Sequence, residues 1–297
     1  MLRAPLAAPG AELRRLMAEG TVVAPGVYDG LSAVSATKAG ASALYLSGGA
    51  LTNALLGVPD IALATLTEFA AAAARITAVA GVPVLSDADT GFGGATNTFR
   101  TVIEMERAGL AGIHLEDQLS PKRCGHLDGK SLIEASEMEA KLRAGVEARR
   151  DSSFVLCART DARGVSGMAD AIDRARRYIA AGADMIFPEG LAGEEEFAEF
   201  RAAVPDVPLL ANMTEFGKTP LIPASRFAEL GYALVIFPVT MMRAALRTLD
   251  DGYAELLATG TQAGLMDRLR TRKELYARID YAAYDAHEAR WAGPIDG

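Results

Sequence analysis

Short runs of β-branched and aliphatic residues recur along this chain, and alanine-rich stretches with helical spacing separate them. The apolar runs are TVVAPGVYD (21–29), ALYLSGG (43–49), VPVLSDADTGFG (82–93), AGIHLEDQ (111–118), FVLCARTDAR (154–163), ADMIFPEG (183–190), VPLLANMTEFG (207–217) and YALVIFPVT (232–240). Helices are predicted at 66–81, 97–109, 134–150, 168–182 and 194–204. Several of them end in glycine just before the next strand, as a C-terminal cap should. Strand–helix alternation implies parallel strands. Eight such units over ~250 residues predict an α/β fold, a (β/α)8 TIM-type barrel in one domain. The tail, 250–297, reads as a further helical extension. No linker, low-complexity segment or repeat beyond this rhythm divides 1–297.

The chain has 297 residues, half of them apolar, enough for a full core. Its net charge of −8 without a run of like charge argues against nucleic acid or an anionic membrane as partner. No apolar run reaches the ~18 residues of a membrane span. The N-terminal MLRAPLAAPGAELRRL is broken by Pro5 and Pro9 and lacks the apolar core of a signal peptide. Two cysteines make no disulfide framework, so a reducing cytoplasm is expected.

Chemistry enters at the polar ends of the strands, where a barrel keeps its active site. Side chains on a strand alternate, so Asp87 shares a face with Asp89, His114 with Glu116, and Arg159 with Asp161. If those faces point inward, Asp87, Asp89 and Glu116 converge at one mouth. Together they predict a hard divalent cation, Mg²⁺, held by few protein oxygens, water and substrate. Ser47, Gly48 and Gly49 could present N–H groups to a carboxylate or phosphate. Arg159 at a strand end suits a substrate carboxylate or a structural ion pair. His114 is expected as a packed barrel histidine, and Cys157, inside FVLCA, as core.

The segment Pro121-Lys122-Arg123-Cys124-Gly125-His126 falls in the loop after the fourth strand, over the mouth. One Cys and one His make no zinc site. The cations Lys122 and Arg123, with His126, would lower the Cys124 thiol pKa and make it a reactive group. Ser136 with Glu139 predicts a capping box for the following helix.

These residues resemble the isocitrate lyase / phosphoenolpyruvate mutase superfamily. KRCGH matches its signature loop, and YLSGG, DADTGFG, HLEDQ, ARTDA, FPEG and ANMTEFG follow in family order. The C-terminal TRKELY and IDY resemble it too. Within the superfamily, Asn212-Met213-Thr214-Glu215-Phe216-Gly217 is most similar to 2-methylisocitrate lyases of propionate catabolism. Ala50 stands where the lyases often continue with Gly after SGG, Tyr28-Asp29 looks more like the mutase and dimethylmalate lyase branches, and KRCGHLDGK resembles carboxyphosphonoenolpyruvate mutase closely. The alternatives are therefore 2,3-dimethylmalate lyase, oxaloacetate decarboxylase and carboxyphosphonoenolpyruvate mutase.

The resemblance implies an eighth helix exchanged between subunits, a homotetramer, and reversible cleavage of 2-methylisocitrate to pyruvate and succinate in the methylcitrate cycle. It implies Mg²⁺ on Asp87, Asp89 and Glu116, and Cys124 as the acid that protonates the succinate carbanion, tuned by His126. Arg159 and Ser47, Gly48 and Gly49 would bind the pyruvate end. Gly125, Glu189, Asn212, Met213, Thr214, Arg243 and Arg272 would bind the rest of the substrate or order the loop. The base for the hydroxyl stays open between Tyr45, a metal-bound water and a carboxylate.

Overall fold

Each predicted strand survives as a shorter one, because the polar end of every run leaves the ladder to form the mouth. The computed structural model describes residues 6–123 and 129–292. Its strands are β1 (Val22–Val27), β2 (Leu44–Leu46), β3 (Val84–Asp87), β4 (Gly112–Glu116), β5 (Val155–Thr160), β6 (Met185–Pro188), β7 (Leu210–Asn212) and β8 (Leu234–Phe237). All pair in parallel, in the order β6-β5-β4-β3-β2-β1-β8-β7. The Ile186 N–H donates to Pro208 O at 3.1 Å beside a parallel bridge from Ile186 to Leu209. β6 thus meets β7, and the sheet closes into the (β/α)8 barrel the alternation predicts.

Two apolar layers hold it. Inward-pointing Tyr45, Leu85, Cys157, Met185, Phe187, Leu210 and Leu234 fill the barrel, and Leu13 of the helix Pro9–Glu19 joins them from below. Gly10 lets that helix sit tightly, since a Cβ there would lie 2.4 Å from Ser153 O. Outward-pointing residues such as Ile113, Leu115 and Leu156 pack against the surrounding helices. One end of the barrel is therefore plugged, and the C-terminal strand ends face an open mouth.

The helix Leu66–Ala80 begins with a capping box of Thr65 and Glu68 and stops at Gly81 in the left-handed region. The expected box of Ser136 and Glu139 is absent. That helix runs from Ala135 to Ala148, so Ser136 already lies inside it, and Glu139 accepts from Arg177 Nε at 2.6 Å instead. A helix at Gly48–Leu56 replaces the end of the second predicted strand, with Ser47 as its N-cap.

After β8 the chain forms the helix Thr240–Thr259, so the expected boundary at 250 falls within one element. None of its residues is buried, and Leu246, Leu249, Tyr253 and Leu257 stand exposed along it. A groove of about 830 Å³ lies between β1 and the helix Gly30–Lys38, with Met241 on its rim. The helices Arg272–Arg278 and Tyr281–Ala292 follow, also without buried residues.

Candidate active site

A cavity of about 290 Å³ opens at the strand ends, near the lower limit of roughly 300 Å³ for small-molecule pockets. Tyr45, Ser47, Gly49, Asp87, Arg159, Glu189, Asn212, Thr214 and Arg243 all reach it, as the sequence suggests. Asp60 and Lys122 line it as well.

Gly48 belongs where it is because a Cβ there would meet Asp87 Oδ2 at 2.6 Å. The N–H groups of Gly48 and Gly49 open a helix and have no intrahelical acceptor, so the backbone end is suited to an anion.

Asp87 ends β3 and lines the cavity, whereas Asp89 follows in a turn and lines a neighbouring pocket with Thr90 and Ser120. The Asp89 backbone is left-handed, with φ of 46°, and its N–H donates to Asp87 Oδ1 at 2.8 Å. Glu116 is wholly buried, and neither carboxylate oxygen accepts a hydrogen bond. Burial pushes Glu116 well above the usual carboxylate range, against the pull of Arg159 and Lys122. Burial likewise pushes Asp89 up to about 7 despite Lys122, with Asp87 and Asp60 adding to the rise.

Convergence of three carboxylates as one direct ligand set is not what the fold delivers. Among the described residues, no three His, Cys, Asp or Glu side chains stand close enough to hold an ion by themselves. Lys122 Nζ lies between the acids, 2.6 Å from Asp60 Oδ1 and 2.9 Å from Asp89 Oδ1. The donor chemistry nevertheless fits a hard cation that keeps waters and uses one or two carboxylates. The oxygens are buried and, at Glu116, without a hydrogen-bond partner, and a bound cation would favour their ionised form.

Lys122 was expected to lower the pKa of a neighbouring thiol, but its ammonium is engaged by Asp60 and Asp89. Cys124, Gly125 and His126 lie outside the described residues. The segment leading to them is fixed at Arg123. Its N–H donates to Gln118 Oε1 at 2.9 Å, and its carbonyl accepts from Gln118 Nε2 at 2.8 Å.

Arg159 is the hub of the mouth. Its Nη1 lies 3.3 Å from Glu116 and 3.5 Å from Glu189, and its Nε donates to Asp161 at 2.9 Å. Its guanidinium sits over the Phe187 ring, 5.2 Å from the centroid. Asn212 Nδ2 donates to Glu189 at 3.1 Å, and Arg243 Nη1 donates to the Glu215 carbonyl at 2.7 Å.

Among the described residues, three expected substrate residues do not line the cavity: Gly48, Met213 and Arg272. Met213 has the opposite parity to Asn212, so it turns into the core, where its sulfur accepts from the Ile222 N–H. Arg272 begins an exposed helix that packs against Gly30–Lys38 on the outside of the barrel. Asp60, Gln118 and Asp117 went unread. Asp117, buried behind the strand, accepts from Thr160, Asp161 N and Tyr178. Its only signal was adjacency to Glu116, which alternation assigns to the other face.

His114 is more than packing. It lies 2.7 Å from Tyr45 Oη and stacks on that ring. Burial lowers it from 6.5 to about 4, with Asp87 opposing, so the folded ring is neutral at pH 7. The unfolded chain takes up this proton below pH 6.5 while the folded one does not. The His114 contribution to stability is therefore full above pH 6.5 and lost as pH falls toward 4. Asp89 and Glu116, both raised, act in the opposite sense, so the comparison needs a variant. Thermal midpoints from pH 7.5 to 4.5 should fall more steeply for the wild type than for His114→Phe. Parallel curves would refute the assignment. Burial also raises Tyr45 well above a normal phenol, which disfavours it as the base.

Comparison with known proteins gives the chain its family. The family model of phosphoenolpyruvate phosphomutase matches residues 13–257. A 2-methylisocitrate lyase of Aeropyrum pernix is 52% identical over 97% of this chain and 93% of its own. A probable 2-methylisocitrate lyase of Corynebacterium glutamicum is 48% identical over 97% and 90%. The structure of 2,3-dimethylmalate lyase superposes with a TM-score of 0.92 at 35% identity, covering 99% of both chains. Phosphonopyruvate hydrolase with oxalate and Mg²⁺ gives 0.87 at 27%, covering 96% of this chain and all of the other. With a matching barrel and relatives similar along nearly their whole length, the chain belongs to the phosphoenolpyruvate phosphomutase/isocitrate lyase superfamily.

Proposed function

We propose that the chain is a C–C lyase that cleaves 2-methylisocitrate to pyruvate and succinate. Its near-full-length identity to proteins named 2-methylisocitrate lyase carries the reading. A mouth bearing Arg159, Arg243, Asn212 and the N-terminus of a helix at Gly48 suits a substrate of several carboxylates.

In this reading Arg159, Ser47, Gly48 and Gly49 bind the end that becomes pyruvate. Asn212, Thr214 and Arg243 bind the succinate end, and Glu189 orients Asn212 and Arg159. Mg²⁺ held by Asp87, Asp89 and Glu116, directly or through water, would polarise the 2-hydroxyl and its carboxylate. The hydroxyl proton passes to a water or a carboxylate of the mouth, the C–C bond breaks with its electron pair going to the succinate carbon, and Cys124, tuned by His126, delivers its thiol proton to that carbon. A positioned acid of this kind contributes about 10²–10⁴ in rate.

The test is an assay with 2-methylisocitrate, isocitrate and 2,3-dimethylmalate and Mg²⁺, following the 2-oxo acid by coupled reduction. No pyruvate from 2-methylisocitrate refutes the reading. Cys124→Ser should lower turnover by about 10³-fold while Mg²⁺ affinity, measured by calorimetry, stays at the wild-type value. Undiminished turnover removes Cys124 from the reaction.

The same reading includes a homotetramer in a cytoplasmic setting. In it the exposed stripe of Thr240–Thr259 packs on a neighbouring copy. Light scattering should then give about four times the 31.2 kDa chain mass, and a monomer at micromolar concentration would refute it.

A further inference from the structure

The hydrogen between Tyr45 Oη and His114 Nε2, 2.7 Å apart, can belong to either group. If the phenol donates, its lone pairs are left for the substrate. If the imidazole donates, the phenol keeps its own hydrogen for the cavity. Two features of the surroundings select the second arrangement. Asp87 Oδ1 lies 3.7 Å from the same Nε2, so a hydrogen on that nitrogen faces two oxygens, one of them on a carboxylate. Nδ1 is buried and has no partner among the described residues. A hydrogen there would be an orphaned donor, and buried proteins tolerate an unused lone pair better than an unpaired N–H.

We propose that His114 keeps its hydrogen on Nε2, donates it to Tyr45, and so sets the phenol as a hydrogen-bond donor into the mouth cavity. Tyr45 lines that cavity together with Arg159 and Ser47. Its donor would meet an oxygen at the pyruvate-forming end of the substrate, where charge develops as the C–C bond breaks. Tyr45 is then the catalytic residue and His114 a positioning residue behind it. Removal of the hydroxyl proton falls to another group. This inference rests on the lyase reading for its kinetic consequence, but not for the hydrogen bond itself.

The chain has three histidines, which makes the hydrogen bond directly observable. In substrate-free protein labelled with ¹⁵N-histidine, His114 is identified by its loss in His114→Phe. It should show a protonated Nε2 and a bare Nδ1. The reverse pattern overturns the proposal. In the lyase assay, Tyr45→Phe and His114→Phe should each lower kcat by about 100-fold, the effect of one transition-state donor, with KM little changed. His114→Gln, whose amide can donate to the phenol, should recover part of the loss. In the Tyr45→Phe background, His114→Phe should add nothing. Multiplicative losses would show that His114 acts independently of Tyr45 and would overturn its positioning role. Should the wild type cleave none of the acids, the lyase reading fails, and the tautomer alone still decides the hydrogen bond.

Discussion

Replacing Arg159 by alanine should abolish measurable turnover and destabilise the fold by about 3–5 kcal/mol, the cost of breaking a buried charge pair from one side. The guanidinium stands among Glu116, Asp161 and Glu189, all wholly or almost wholly buried. Without it, three carboxylates face one another with less positive charge between them. Lys130, 2.7 Å from Asp161, still neutralises one of the three. Glu116 can take up a proton, since burial already holds its pKa well above the usual range. The destabilisation should therefore grow from pH 6 to pH 8, as that proton becomes harder to keep. Urea titrations at the two pH values, beside an assay for pyruvate, separate the effects. Arg159→Lys keeps the charge but loses the planar fork that meets three acids at once, so it should recover stability more than turnover. An alanine variant with the wild-type urea midpoint at pH 8 would show that the acids carry their own protons.

Lys122→Met should weaken the metal-free protein by about 3 kcal/mol, the lower end for a broken buried pair because Asp60 is partly exposed. The ammonium sits between Asp60 and Asp89 and compensates the negative charge that burial concentrates there. A divalent cation would supply the same compensation. Saturating Mg²⁺ should thus raise the thermal midpoint of the variant more than that of the wild type. Mn²⁺, followed by its spin signal, should bind the variant more tightly. Equal midpoint shifts and equal affinities in both proteins would mean that Lys122 and the metal do not share these carboxylates. Turnover of the variant should fall as well, because Lys122 lines the cavity.

Both expectations depend on neighbours far apart in the chain, and this marks how far the sequence reaches. The barrel was legible because burial between helices makes each strand a short apolar run, and the polar ends of those runs name the mouth. Asp87, Glu116 and Arg159 follow from their strands by alternation, while Glu189 and Asn212 follow from the family resemblance. Where the strand stops, alternation fails as a guide. Asp89 arrives through a left-handed turn, whereas Met213 obeys alternation by turning into the core and so departs from what the resemblance implies. Asp60 has no periodic signal and becomes visible only when Lys122 folds back across 62 positions to meet it.

The sequence by itself determined the barrel and many of its strand-end groups, because these depend on local patterning and on short motifs. Only the tertiary structure decided which acid meets which cation, that Lys122 stands among the carboxylates, and that His114 meets the Tyr45 hydroxyl. Those outcomes depend on distances between strands, and a charge in a buried site is governed by what lies within a few ångströms in space, whatever its place in the chain.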